Sequence, residues 1–125
     1  MEYRFMKPGE ENDAGALVRG VFRTFVAPQY SREGVDEFLR YVEPEAMATR
    51  AEANHFVLVA EVDGKIMGAI EVRNCSHISL LFVEGQFQRQ GVARELLRRA
   101  LEICADNQPE VREFTVNSSP NAIGA

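Results

Sequence analysis

Residues 55–83 constrain the fold more than any other part of the chain. Phe56-Val57-Leu58-Val59-Ala60-Glu61-Val62 is a continuous run of strand-forming residues, Asp63-Gly64 follows it, and residues 65–73 return as a second such run. Asp-Gly between two strand-type runs is a strong signal for a two-residue hairpin, so these runs must pair antiparallel. Asn74-Cys75-Ser76 supplies a second turn, and residues 77–83 (His-Ile-Ser-Leu-Leu-Phe-Val) form a third strand suited to a buried sheet. The turns are too short for crossover connections, so the centre of the chain is an antiparallel meander.

The period changes on either side of it. Val92, Leu96, Leu97, Ala100, Leu101 and Cys104 recur at helical spacing while Arg94, Glu95, Arg98, Arg99 and Glu102 fall on the other face, which predicts an amphipathic helix over residues 91–106. Pro109 follows, and Glu113-Phe114-Thr115-Val116 reads as a strand returning parallel to 77–83 by a right-handed crossover. Before the meander, residues 3–7 predict a short strand ended by Pro8-Gly9. Ala14, Leu17, Val18, Val21, Phe22 and Phe25 then trace one helix stopped by Pro28. Ser31 caps a second helix bearing Val35, Phe38, Leu39 and Val42, which Pro44 ends or bends into a further short turn. Ser119 and Pro120 begin a last helical segment. The expected architecture is α/β: one domain over residues 1–125, with a mixed central sheet and flanking helices.

Bulk properties narrow the function. No apolar run approaches the roughly 20 residues of a membrane span. The first residues lack the basic start and apolar stretch of a secretory signal, so a cytoplasmic chain is expected. A formal charge of -5 argues against nucleic acid as partner and suits a cationic or amine ligand. Cys75 and Cys104 are too few for a disulfide scaffold or a four-ligand zinc site and are read as reduced, structural residues. No metal is expected.

A strand ending at Val83, a short loop, and a glycine at a helix start form the physical recipe for a diphosphate site. Free backbone N–H groups converge there and the helix dipole adds positive potential. Gly91 permits close approach, Ala93 is small for the same reason, and Arg89 and Arg94 can pair with phosphate oxygens. The loop lacks the Lys-Ser/Thr ending of a Walker A motif and the three-glycine dinucleotide fingerprint.

Leu81-Phe82-Val83 followed by Gln88-Arg89-Gln90-Gly91-Val92-Ala93 resembles the central acetyl-CoA motif of the GNAT N-acetyltransferase superfamily, Gln/Arg-x-x-Gly-x-Gly/Ala. The order of elements before the loop and Val116-Asn117-Ser118-Ser119-Pro120 after it extend the resemblance over nearly the whole chain. It implies the GNAT acyl-CoA N-acyltransferase fold, with pantetheine inserted where the strands ending near Val83 and Asn117 splay apart. Backbone groups of Leu81, Phe82 and Val83 would then pair with the cofactor, the Leu81 N–H polarising the thioester carbonyl. Gln88, Arg89, Gln90, Gly91, Val92, Ala93 and Arg94 would hold the pyrophosphate, and Asn117 would bond the cofactor from the neighbouring strand.

Direct transfer to a protonated amine needs a base. His77 is the first candidate: four residues before Leu81, it is expected on the same strand face, where some family members carry a catalytic carboxylate. Glu71 is the second, and His55 is read as structural. The resemblance implies an acetyl-CoA-dependent transfer to a primary amine of a small molecule or protein, with no enzyme thiol needed. The family segment usually runs on into a Tyr-x-x-x-Gly-Phe sequence and further strands, and Ala125 falls where that Tyr is expected. The last strands are therefore expected to be missing, and the expectation is either a truncated chain or a homodimer that covers the C-terminal sheet edge. The alternatives are a CoA-binding module with reduced catalysis, or a protein-interaction domain on the same fold.

Overall fold

The computed structural model describes residues 1–53, 55–108 and 115–116. Five strands, β1 (Glu2–Phe5), β2 (His55–Val62), β3 (Lys65–Arg73), β4 (His77–Val83) and β5 (Thr115–Val116), form one sheet in sequence order. The β1/β2, β2/β3 and β3/β4 pairs are antiparallel and β4/β5 is parallel, the mixture expected of a meander followed by a crossover. On one face lie α1 (Glu11–Val21), α2 (Arg32–Tyr41) and α3 (Pro44–Ala51); on the other lies α4 (Val92–Asn107).

Two cores result. Phe22, Met47, Val57, Val59, Leu80 and Phe82 fill the α1–α3 side, where Phe22 stacks on Phe38 at 4.0 Å between ring centroids. Leu58, Ile70, Val72, Ile78, Leu81 and Val83 meet Val92, Leu96, Ala100 and Cys104 of α4 on the other. The alternating side chains of each strand feed both layers, which is why runs such as Phe56–Val62 are apolar throughout rather than at every second position.

The helical boundaries carry two differences from expectation. The stripe from Ala14 to Phe25 is not one α-helix: α1 ends at Val21, a π-helical turn spans Phe22–Val26, and a 3-10 turn spans Ala27–Gln29. Pro28 can neither donate an N–H nor fit an α-helix interior, so the chain changes its hydrogen-bonding step before reaching it. Pro44 does more than end the second helix or bend it into a short turn: it starts α3, because a proline at the first helical position gives up only an N–H that has no intrahelical acceptor. Ser31 caps α2 as expected, its Oγ accepting from Gly34 N–H at 3.0 Å. The helical segment expected after Ser119 lies outside the described residues.

The cysteines are corrected outright. Cys75 and Cys104 are joined as a disulfide, with Cα atoms 5.3 Å apart, so neither is the reduced residue expected. A pair on opposite walls of one core, 29 residues apart in sequence, gives no local signal of its contact.

At the outer edge, Arg4 on β1 donates to Glu61 on β2 at 2.6 and 3.0 Å and bidentately to Glu10 at 2.8 Å. That guanidinium, with the Lys7 N–H, holds the Glu10 carboxyl down to about 2. A depressed carboxylate pKa contributes stability that is complete above its ordinary value of 4.5 and is lost as pH falls towards 2. Urea unfolding between pH 2 and 6 will therefore show a shallower acid loss for Glu10→Gln than for the unaltered chain. At neutral pH, Leu96→Ala, which empties a fully buried site, will cost about 3 kcal/mol in the same measurement.

Candidate functional site

The site begins with two breaks in regular geometry. Along β3 the adjacent residues Glu71 and Val72 pair with Leu80 and Ile78 of β4, so Ser79 is an extra residue, a bulge. Alternation is reversed across it: Ile78 joins Leu81 and Val83 in the α4 core, while Leu80 and Phe82 face α1 and α2. His77 thus lies on the face opposite Leu81. This corrects the same-face expectation, which assumed an unbroken period of two.

At the other end of β4, Glu84 N–H donates to Met67 C=O on β3 at 2.8 Å. Backbone groups alternate sides along a strand, so the amides of Phe82 and Leu80 also turn to β3 and those of Leu81 and Val83 turn to the β5 side. Among the described residues β5 pairs with β4 only at His77 and Ile78. The Val83 carbonyl accepts instead from the Gln88 side-chain amide at 2.9 Å.

The second break is the loop. After a 3-10 turn (Gly85–Phe87), Arg89 takes φ +65 and Gly91 takes φ +83 before α4 starts. Left-handed residues turn successive N–H groups to one side, and the first turn of α4 leaves further N–H groups without intrahelical acceptors. These line a cleft of about 360 Å³ bounded by Val83, Gln88, Arg89, Gly91, Ala93 and Arg94. A Cβ on Gly91 would meet nothing within 4 Å, so glycine is required there by backbone conformation and not by crowding.

Among the described residues neither Arg89 nor Arg94 has a hydrogen-bond or ion-pair partner, which leaves two cations at the rim. Glu95 would oppose them, but Arg98 and Arg99 donate to it at 2.6 Å and hold its carboxyl at about 2, so its charge is matched locally. Gln90 and Val92 do not line the cleft: the Gln90 side chain donates back to Gln86 C=O at 2.9 Å, and Val92 is buried against β3. Asn117 lies outside the described residues.

Of the two proton-transfer candidates, His77 lies at the far end of β4, whereas Glu71 pairs with Leu80, next to Leu81. His77 Nδ1 is 2.5 Å from Thr115 Oγ1 on β5. A rise of about 3.3 Å per residue sets its Cα roughly 13 Å from that of Leu81, beyond direct hydrogen-bond reach of a thioester held there. Glu71 is 1% exposed, and both its oxygens are taken: Arg50 donates bidentately at 2.7 and 3.0 Å and His55 Nδ1 lies at 2.8 Å. Arg50 also lies over the Tyr41 ring and donates to Tyr41 C=O. The residues that sequence reasoning missed are Arg50 and Tyr41, whose only signal is that a strand glutamate on a buried face needs a cation from another element. Among the described residues no group of acidic, histidine or cysteine side chains could hold a metal, and no helix is long and apolar enough to cross a membrane.

Comparison with known proteins agrees with this fold. No curated protein matches the chain in sequence. Among solved structures, an N-acetyltransferase from Rhodopseudomonas palustris is 23% identical with a TM-score of 0.79, over 97% of this chain and 74% of its own. The PaiA N-acetyltransferase of Thermoplasma acidophilum, solved with coenzyme A, is 18% identical with a TM-score of 0.71, over 86% and 74%. An aminoglycoside 6'-N-acetyltransferase from Acinetobacter haemolyticus is 20% identical with a TM-score of 0.61, over 97% and 81%. These likenesses speak for the fold. The model of the acetyltransferase (GNAT) domain matches residues 26–125, most of the chain and all of the cleft, and the protein belongs to that family.

Proposed function

We propose that the chain transfers an acetyl group from acetyl-CoA to a primary amine of a small molecule or protein. The observation that carries this reading is the cleft at the head of α4, where unpaired backbone N–H groups, the helix dipole and the free guanidiniums of Arg89 and Arg94 converge. A diphosphate fits that donor set. The cofactor would supply the activated acyl group; the chain's own residues hold and orient it.

The Leu81 N–H, directed away from β3, is placed to donate to a carbonyl oxygen as charge builds on it. The Val83 carbonyl can accept from an amide once the Gln88 side chain releases it. His77 would take the amine proton through ordered water rather than directly, given the separation along β4. Glu71, fully occupied by Arg50 and His55, acts as a positioning residue that ties α3 to β3. Cys75 and Cys104 are bonded to each other, which fits transfer without an enzyme thiol. A second reading, cofactor binding without turnover, is favoured by the engagement of His77 with Thr115. Acetyl-CoA that binds while a panel of amines yields no product would select it.

In a thermal-shift and calorimetric titration with acetyl-CoA, Arg89→Ala with Arg94→Ala will weaken binding about tenfold or more and flatten its salt dependence, leaving the melting temperature of the free protein unchanged. Equal affinity in the two proteins would refute the cleft as the cofactor site. His77→Ala will lower kcat/KM for the amine about a hundredfold with cofactor affinity unchanged. Glu71→Gln will instead cost about 3 kcal/mol of stability by urea unfolding, because it strands the Arg50 charge.

A further inference from the structure

The disulfide lies where it controls a strand rather than where it merely fastens the core. Asn74 and Cys75 form a two-residue turn between β3 and β4, closed by Ser76 N–H donating to Arg73 C=O at 3.0 Å. Both take positive φ, +53 and +50. Asn accepts that conformation and Gly usually fills the second position, so a cysteine there is held against its own backbone preference. Its side chain thereby points at Cys104 on the inner face of α4.

The next residues carry β5. Ser76 C=O accepts from Thr115 N–H at 2.9 Å and from Thr115 Oγ1 at 3.4 Å, His77 Nδ1 meets the same Oγ1, and His77 and Ile78 are the β4 partners of β5. These contacts of Thr115 and Val116 therefore fall within three residues of Cys75. We infer that Cys75 and Cys104 form a reversible thiol–disulfide couple that sets how firmly β5 is held to β4, and with it a ligand's access to the Leu81 and Val83 backbone groups that turn to that side of β4.

The chemistry needs a low-molecular-weight disulfide such as oxidised glutathione as oxidant. Cys75, 8% exposed in a surface turn against 2% for Cys104, is the sulfur reached first. Its thiolate displaces one glutathione thiolate to give a mixed disulfide. The Cys104 thiolate then attacks the Cys75 sulfur and expels the second. Two protein thiols are oxidised, one disulfide is reduced to two thiols, and the two protein protons pass to the departing thiolates. Excess dithiol reverses the exchange.

The test equilibrates the full chain in reduced or oxidised glutathione buffer, counts free thiols by alkylation and intact mass, and measures Thr115 amide hydrogen exchange by NMR. The bridged form is expected to slow exchange at Thr115 about tenfold or more and to raise the melting temperature by roughly 10 °C, the scale set by closing a loop of this length. Both differences should vanish in Cys75→Gly, which suits the turn's positive φ, and in Cys104→Ser. Failure to bridge in the oxidised buffer, equal Thr115 exchange in the two forms, or a difference that persists in the variants overturns the inference. The effect on cofactor rests on the CoA reading above and is read separately: acetyl-CoA affinity should differ severalfold between the two forms. Altered exchange with equal affinity overturns the control of access to β4, whereas altered exchange with no acetyl-CoA binding in either form overturns the CoA reading instead.

Discussion

The seat of α4 on β3 sets the position of everything else. At Gly68 the helix comes so close that a Cβ would stand 3.2 Å from both Leu96 Cδ1 and Val92 Cγ1, a spacing that only a residue without a side chain accommodates comfortably. Val92 is the first residue of the helix, so the contact that closes the core also fixes the height of the helix N-terminus above the sheet. The loop from Val83 must then reach that point, and its left-handed residues at Arg89 and Gly91 follow from the short path. Core packing and the geometry of the cleft are thus one constraint: loosening α4 would blunt the convergence of N–H groups at its head.

The bulge at Ser79 separates two roles within one strand. Before it, β4 is an ordinary partner of β3 and β5; after it, Leu81 and Val83 put their side chains into the α4 core and their backbone groups towards the β5 side. A strand with an unbroken period would have brought His77 and Leu81 to one face; the bulge, with its local rise in twist, sets them on opposite faces.

Most of this was legible in the sequence where a periodic or a backbone rule was at work. The meander followed from Asp63-Gly64 and the apolar runs, α4 from its stripe, and the cleft from a glycine between strand and helix. What escaped reading depended on which residues become neighbours in space. Ser79 gives no sign of being an extra residue, because a bulge is a property of two strands together. The Arg50–Glu71–His55 cluster and the Cys75–Cys104 bond join distant segments across the sheet, and no spacing rule relates their members. The π-helical turn at Phe22–Val26 was missed for a different reason: its apolar stripe is helical, and only the hydrogen-bonding step ahead of Pro28 differs.

Those two hidden ties share an end of the sheet. His55 pairs with Arg73 and Arg73 with His77, so the start of β2, the end of β3 and the start of β4 lie side by side. On one face of that row Glu71 is clamped by Arg50 from α3; on the other Cys75 is bonded to Cys104 near the end of α4. A buried ion pair contributes little net stability against an apolar replacement, but it tolerates no loss of either partner and so fixes geometry. A covalent bond does the same more strongly. The sheet is therefore held from both faces at the end that carries His77 and β5, while at the opposite end, where α4 is seated by packing alone, the Val83 carbonyl is covered by a replaceable contact from the Gln88 side chain. That division suits the proposed cofactor site: the side chain a ligand would displace lies at the mouth, and the covalent and ionic ties lie at the base.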